Sequence, residues 1–152
     1  MLEDIYNYLR LSDRLATSGQ PSEEQIAEIA QAGFQVVINL ALTGTDYALK
    51  DEAGSVGSHG MEYIHIPVLW QQPTRADLEA FFAAMDANPD KKVFVHCAAN
   101  MRVSAFLALY RILRLGWEQE KAFEDVYRIW TPKEQWKSFI EEMLGDQKPA
   151  RA

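Results

Sequence analysis

The sequence predicts an α/β fold: a central, mainly parallel sheet of four to five strands, flanked by helices. Three observations point to it. Short apolar runs, FQVVINL at 34–40, EYIHIPV at 62–68 and VFVH at 93–96, alternate with stretches of helical period. The first of these runs is apolar at nearly every position, the mark of a strand covered on both faces, and the last is a short apolar run of strand-formers. Three helical stretches then follow the last strand without a further strand signal. The 152 residues, 48% hydrophobic and 24% charged, are ordinary for one globular domain with a real core. We read residues 1–145 as that domain and 146–152 as a polar, disordered tail.

The elements follow in order. Residues 2–9 read as a short helix, and 14–17 as an extended segment closed by the turn cluster Ser18-Gly19-Gln20-Pro21. Ser22 opens a helix with Gln25 at the capping-box position. Ile26, Ile29 and Ala30 face its core side and Gly33 ends it. The strand at 34–40 leads into a loop that passes into a short helix at 43–50. Gly54, Gly57 and Gly60, interleaved with serines, argue against regular structure there. After the strand at 62–68, in which His65 reads as an ordinary strand histidine, LWQQP is a loop. Thr74 caps the next helix with Asp77 at the capping-box position; Leu78, Phe81, Phe82 and Met85 form its apolar stripe. Asn88-Pro89-Asp90 stops it. The helix at 102–115 is apolar nearly all round, which predicts a central, buried position. Gly116 closes it, and a helix at 118–130 follows. Thr131-Pro132-Lys133-Glu134 reads as the start of the last helix, with threonine as cap and proline in first position.

Composition narrows the function. A net charge of -7 and an isoelectric point near 4.9 argue against nucleic acid or an anionic membrane as partner. A single cysteine excludes an internal disulfide and a multi-cysteine zinc site, and fits a reducing compartment. The acidic start MLEDIYNYLRLSDR has no signal-peptide core, and no apolar stretch is long enough to span a bilayer. These features predict a cytoplasmic protein.

The chemistry concentrates in KKVFVHCAANMRVS, residues 91–104. A strand ends in His96 and Cys97; a short turn leads to Arg102 at a helix start. Loop amides and a helix N-terminus form an anion cradle, and the positive field there favours a thiolate nucleophile. This stretch resembles the phosphate-binding loop of the cysteine-dependent protein tyrosine and dual-specificity phosphatases. TSGQPSEEQIAEIAQAGFQVVINL and GMEYIHIPVLWQQPT are similar to bacterial members of that superfamily. The resemblance covers roughly residues 14–110. It implies a phosphotyrosine-phosphatase-like fold and a phosphomonoester hydrolase that needs no metal or other cofactor. Cys97 would form a cysteinyl-phosphate, Arg102 would grip two oxygens with its planar fork, and the amides of Ala98, Ala99, Asn100, Met101, Arg102 and Val103 would hold the rest. His96 would support the loop. Its partners would be a phosphorylated protein or small phosphomonoester, with inorganic phosphate or sulfate able to occupy the loop.

The spacing departs from the family. Four residues separate Cys97 from Arg102, where the family has five, and Asn100 stands nearest the usual glycine. Either the loop is one residue shorter, or Ser104 keeps its place and the arginine has moved by about 100° of helix. Ser104 could aid departure of the sulfur or simply satisfy its own helix. The family's acid, an aspartate after the strand equivalent to EYIHIPV, has no counterpart in residues 69–73. Asp77 and Asp46 are the candidates. Two other functions stay open: a phosphate-binding protein without turnover, and a sulfurtransferase using a Cys97 persulfide, since single-domain rhodaneses resemble Cys-x-x-Gly-x-Arg-Ser at a similar turn. Trp70, after a strand end, is a candidate pocket wall, and Arg111 and Arg114 read as a solvated edge.

Overall fold

The computed structural model describes residues 1–145; the tail expected at 146–152 lies outside them. Five strands form one sheet in the order β1-β2-β5-β3-β4. They are β1 (Leu9–Arg10), β2 (Leu15–Ser18), β3 (Val36–Asn39), β4 (Glu62–His65) and β5 (Val93–His96). All pairings are parallel except β1 with β2, so the sheet is mixed with one antiparallel edge. The helices are α1 (Glu23–Gln31), α2 (Glu52–Ser58), α3 (Arg75–Asp86), α4 (Met101–Leu113), α5 (Gln119–Tyr127) and α6 (Glu134–Gly145). Among the described residues no helix is long and apolar enough to cross a membrane.

The continuous apolar runs are explained by two-sided burial. In β5, Val93 and Val95 join the core under α3 to α6, while Phe94 points to the second core with Ile26, Ile29 and Val56. β3 does the same, with Val36 and Ile38 on one face and Val37 on the other. Register then aligns the strand ends. Ser18, His96, Asn39 and His65 form one row across the carboxyl edge, with β5 between its two parallel neighbours. Ligands of such sheets bind beyond that edge. α4 leaves it directly and is buried on all sides from Arg102 to Ile112. α1 starts at the expected capping box, where the Ser22 hydroxyl accepts from the Gln25 amide at 3.2 Å and Gln25 returns a bond to the Ser22 amide at 2.9 Å.

Four expectations need correction. Residues 2–9 hold only a 3₁₀ turn, Leu2–Asp4, before β1. The glycine-rich stretch after residue 50 is helical: Asp51 caps α2 by accepting from the Gly54 amide at 3.0 Å, and Glu52 and Val56 are buried against the sheet. Tertiary burial outweighs the low helix propensity of glycine there. The last helix starts at Glu134, not after Thr131, with the Lys133 carbonyl accepting from the Trp136 amide. Seating Trp136, fully buried at 0% exposure, prevails over the local start signal. Arg111 is no solvated edge. It is buried, donates to Asp125 at 2.8 Å and stacks on Trp117 at 4.3 Å. Arg114 pairs with Asp86.

Candidate active site

β5 delivers Cys97 to the carboxyl edge of the sheet, between β2 and β3. Beyond it lies an open cavity of about 370 Å³ lined by Cys97, Ala98, Ala99, Met101 and Arg102 on the loop side. Leu42, Tyr47, Trp70 and Gln71 line the other side. The nucleophile candidate and the guanidinium candidate therefore share one cavity despite the short spacing. Cys97 is 1% exposed, and its amide donates to the Ser18 carbonyl at 3.3 Å. Arg102 is buried too, with Nη1 donating to the Val68 carbonyl at 2.8 Å. That bond directs the side chain from α4 toward the loop after β4.

Asn100 carries the turn. It sits in the left-handed region, φ 65° and ψ 8°, as the N-cap of α4. Asparagine adopts this conformation more readily than most residues, and here its side chain is tied down: Nδ2 donates to the Asn7 carbonyl at 2.9 Å and to Thr17 Oγ1 at 3.0 Å. Asn7 answers by donating to the Ala99 carbonyl at 3.0 Å. The first amide of α4 bonded within the helix is that of Ser104, to the Asn100 carbonyl at 3.0 Å. The amides of Met101, Arg102 and Val103 thus belong to the unpaired first turn, where an anion is favoured.

The loop also rests on β2. The Gln20 amide donates to the Ala98 carbonyl at 3.0 Å, and Gly19 lies opposite Ala99. A Cβ on Gly19 would stand 2.6 Å from the Ala98 oxygen and 2.7 Å from the Tyr6 ring. Gly19→Ala is therefore expected to cost about 1–3 kcal/mol through overpacking, and to weaken phosphate binding because the displaced oxygen belongs to the loop. Thermal melting and phosphate titration of the variant check both effects.

His96 is fully buried. Its Nδ1 donates to the Cys97 carbonyl at 3.2 Å, and its Nε2 meets Glu52 Oε2 at 2.5 Å. Glu52 Oε1 accepts from Gln20 Nε2 at 3.0 Å. Burial pushes the Glu52 carboxyl up, but the hydrogen bond and charge of His96, with the Gln20 amide, outweigh it and leave the group below its ordinary value of 4.5. A carboxylate with a lowered folded pKa stabilises the fold above its unfolded pKa, and that stability disappears as pH falls through the folded value. The urea midpoint should therefore drop as pH falls below about 4.5, and drop less in Glu52→Gln.

Ser104 is not among the residues that line the cavity. Its hydroxyl donates to the Met101 carbonyl at 3.0 Å and accepts from Trp130 Nε1 at 3.1 Å, so it satisfies its own helix. Asp77 stays in the α3 capping box, accepting from the Thr74 amide at 3.2 Å, outside the cavity lining. Asp46 lies on the loop beside the lining residue Tyr47 but does not itself line the cavity. Trp70 is the wall expected of it, packed against Trp130 and Trp136 at 5.4 and 5.5 Å. His65 has the ordinary partner expected, the Ala41 carbonyl at 2.6 Å. Sequence reading missed Glu52, hidden in the glycine-rich stretch, and Asn7, which carries no local signal. Gln20 was legible only as part of a turn cluster.

The mixed sheet carries a cysteine and an arginine at its carboxyl edge, over a helix N-terminus, the arrangement expected of the phosphate-binding loop of a tyrosine or dual-specificity phosphatase. Residues 5–142 match the family described as DSP-PTPase phosphatase fused to NAD+ kinase, and the chain belongs to that family. It is 36% identical to a DUF442 protein of Shewanella putrefaciens CN-32 assigned as a phosphatase, whose crystal structure superposes with a TM-score of 0.85 over 95% of both chains. It is 30% identical over 106 residues to a beta-lactamase hydrolase-like protein of Xylella fastidiosa, covering 68% of this chain and 24% of that protein. The chain thus spans about a quarter of the length of the first curated relatives it matches. The fold is also that of Pseudomonas aeruginosa TpbA, solved with phosphotyrosine, at 18% identity and a TM-score of 0.65 over 91% of this chain and 90% of that one.

Proposed function

We propose that the protein hydrolyses phosphate monoesters through a cysteinyl-phosphate on Cys97. The observation that carries this reading is the shared cavity: Cys97 and Arg102 line it together, at the mouth of a helix whose first amides are free. The Cys97 thiolate attacks phosphorus, the ester oxygen leaves, and water then cleaves the S–P bond and releases phosphate. Arg102 and the loop amides offset the charge that develops on the equatorial oxygens. The loop performs this with four residues between cysteine and arginine. His96 supports it from below, and Ser104 acts on the helix instead of the sulfur.

The lining holds Leu42, Tyr47, Trp70, Gln71 and Met101, with no carboxylate among the described residues. An oxygen that leaves without a proton must be a good leaving group, so aryl phosphates suit this site. The aromatic walls favour the same class. Phosphotyrosine, the molecule bound in TpbA, is an aryl phosphate. Hydrolysis of a series of aryl phosphates tests the reading: the rate should fall steeply as the phenol becomes less acidic, and vanadate should inhibit. Asp46→Asn should leave that dependence unchanged; a flattened wild-type dependence made steep by Asp46→Asn would instead assign Asp46 as the acid. Phosphate binding without turnover would select the non-catalytic reading.

A further inference from the structure

Within that phosphatase reading, we infer that Glu52 is a positioning residue that aims the Ala98 and Ala99 amides into the anion cradle. Its two carboxylate oxygens hold two different donors, and each donor's residue fixes one carbonyl of the loop. Oε2 takes the His96 ring at 2.5 Å, and the other ring nitrogen donates to the Cys97 carbonyl at 3.2 Å. Oε1 takes the Gln20 side chain at 3.0 Å, and the Gln20 amide donates to the Ala98 carbonyl at 3.0 Å. Peptide units are planar, and the chain has no cis bond, so the N–H of each unit points opposite to its C=O. The unit between Cys97 and Ala98 has its oxygen held toward His96; the Ala98 amide therefore points away from it. The unit between Ala98 and Ala99 has its oxygen held toward Gln20, so the Ala99 amide points away in turn. Ala98 and Ala99 both line the cavity with Cys97.

The cost of Glu52 argues for such a role. It is 6% exposed, and a buried carboxylate is expensive unless fully paired. It emerges from a glycine-rich helix with little intrinsic stability, yet all its pairing is spent on the loop. The carboxylate is ionised above the acid range, since the partners that hold it lower its pKa.

The experiment compares the full chain with Glu52→Ala and Glu52→Gln, and with Asp125→Asn, which alters the Arg111 pair and touches none of the Glu52 contacts. Inorganic phosphate binding is read by calorimetry and aryl phosphate hydrolysis by steady-state kinetics. Removing outer-shell partners of a metal site commonly weakens it about tenfold or more; by analogy a rise of about tenfold in phosphate Kd is expected for Glu52→Ala, with an equal fall in kcat/KM. Glu52→Gln, which keeps one acceptor, should fall between it and wild type. Asp125→Asn should lower the melting temperature without changing phosphate affinity. Wild-type phosphate affinity in folded Glu52→Gln and Glu52→Ala would overturn the inference while leaving the phosphatase reading intact. So would equal weakening by Asp125→Asn. If Glu52→Ala does not fold, Glu52→Gln decides. Failure of the wild type itself to bind phosphate would overturn both.

Discussion

Cys97→Ser is expected to lower aryl phosphate hydrolysis below about a thousandth of wild type, the scale on which removing a nucleophile acts. A serine hydroxyl is a far weaker acid than a thiol, and among the described residues no base lines this cavity to activate it. Binding should survive. The loop amides and Arg102 make no use of the sulfur, and the Cys97 amide keeps its bond to Ser18 in the variant. Turnover and phosphate affinity should therefore separate: steady-state kinetics show the loss, and calorimetry with inorganic phosphate shows a Kd within a few-fold of wild type. Wild-type turnover in Cys97→Ser would remove the thiolate mechanism altogether.

Trp136→Ala is the substitution expected to cost the fold most. The side chain is fully buried, packs on Trp70, Phe106, Trp130 and Phe139, and donates its Nε1 proton to the Trp70 carbonyl at 2.9 Å. Truncating a buried tryptophan costs about 3–5 kcal/mol, or roughly 6–20 °C of melting temperature for a chain of this size. Part of the loss reaches the site. Trp70 is a cavity wall held in place by Trp136 and by Gln135, which donates to the same carbonyl at 3.3 Å. Calorimetric melting measures the first effect. A KM for aryl phosphate that rises more than kcat falls, measured well below the melting temperature, identifies the second.

How legible each part was follows from where its information lies. The strands at β3 and β5, the α1 and α3 capping boxes and the buried α4 are written in local pattern: apolar runs, capping residues and helical period. The strand β1 and helix α2 are not. β1 is two residues long and exists because β2 offers it an edge. α2 exists because Glu52 and Val56 have a sheet to cover. The same division runs through the site. Cys97 and Arg102 stand in one short stretch, so the chemistry proposed for them rests on local sequence. The residues that hold them do not: Asn7 lies 92 positions from Ala99, and Glu52 lies 44 from His96.

By itself, the sequence determined the sheet-and-helix alternation and the position of the thiol at a strand end, because periodicity and motif act over a few residues. Whether a guanidinium five positions on, with four residues between, could still share the cysteine's cavity was a question of tertiary structure. It is answered by the left-handed turn at Asn100, held by Asn7 and Thr17, and by the Val68 carbonyl that receives Arg102. The partners of Ser104 were likewise completed in three dimensions, since Trp130, 26 positions away, donates to its hydroxyl, whereas Asp77 keeps the local capping-box partner its spacing predicts. A buried polar group must be paired, and only the folded chain supplies the partner.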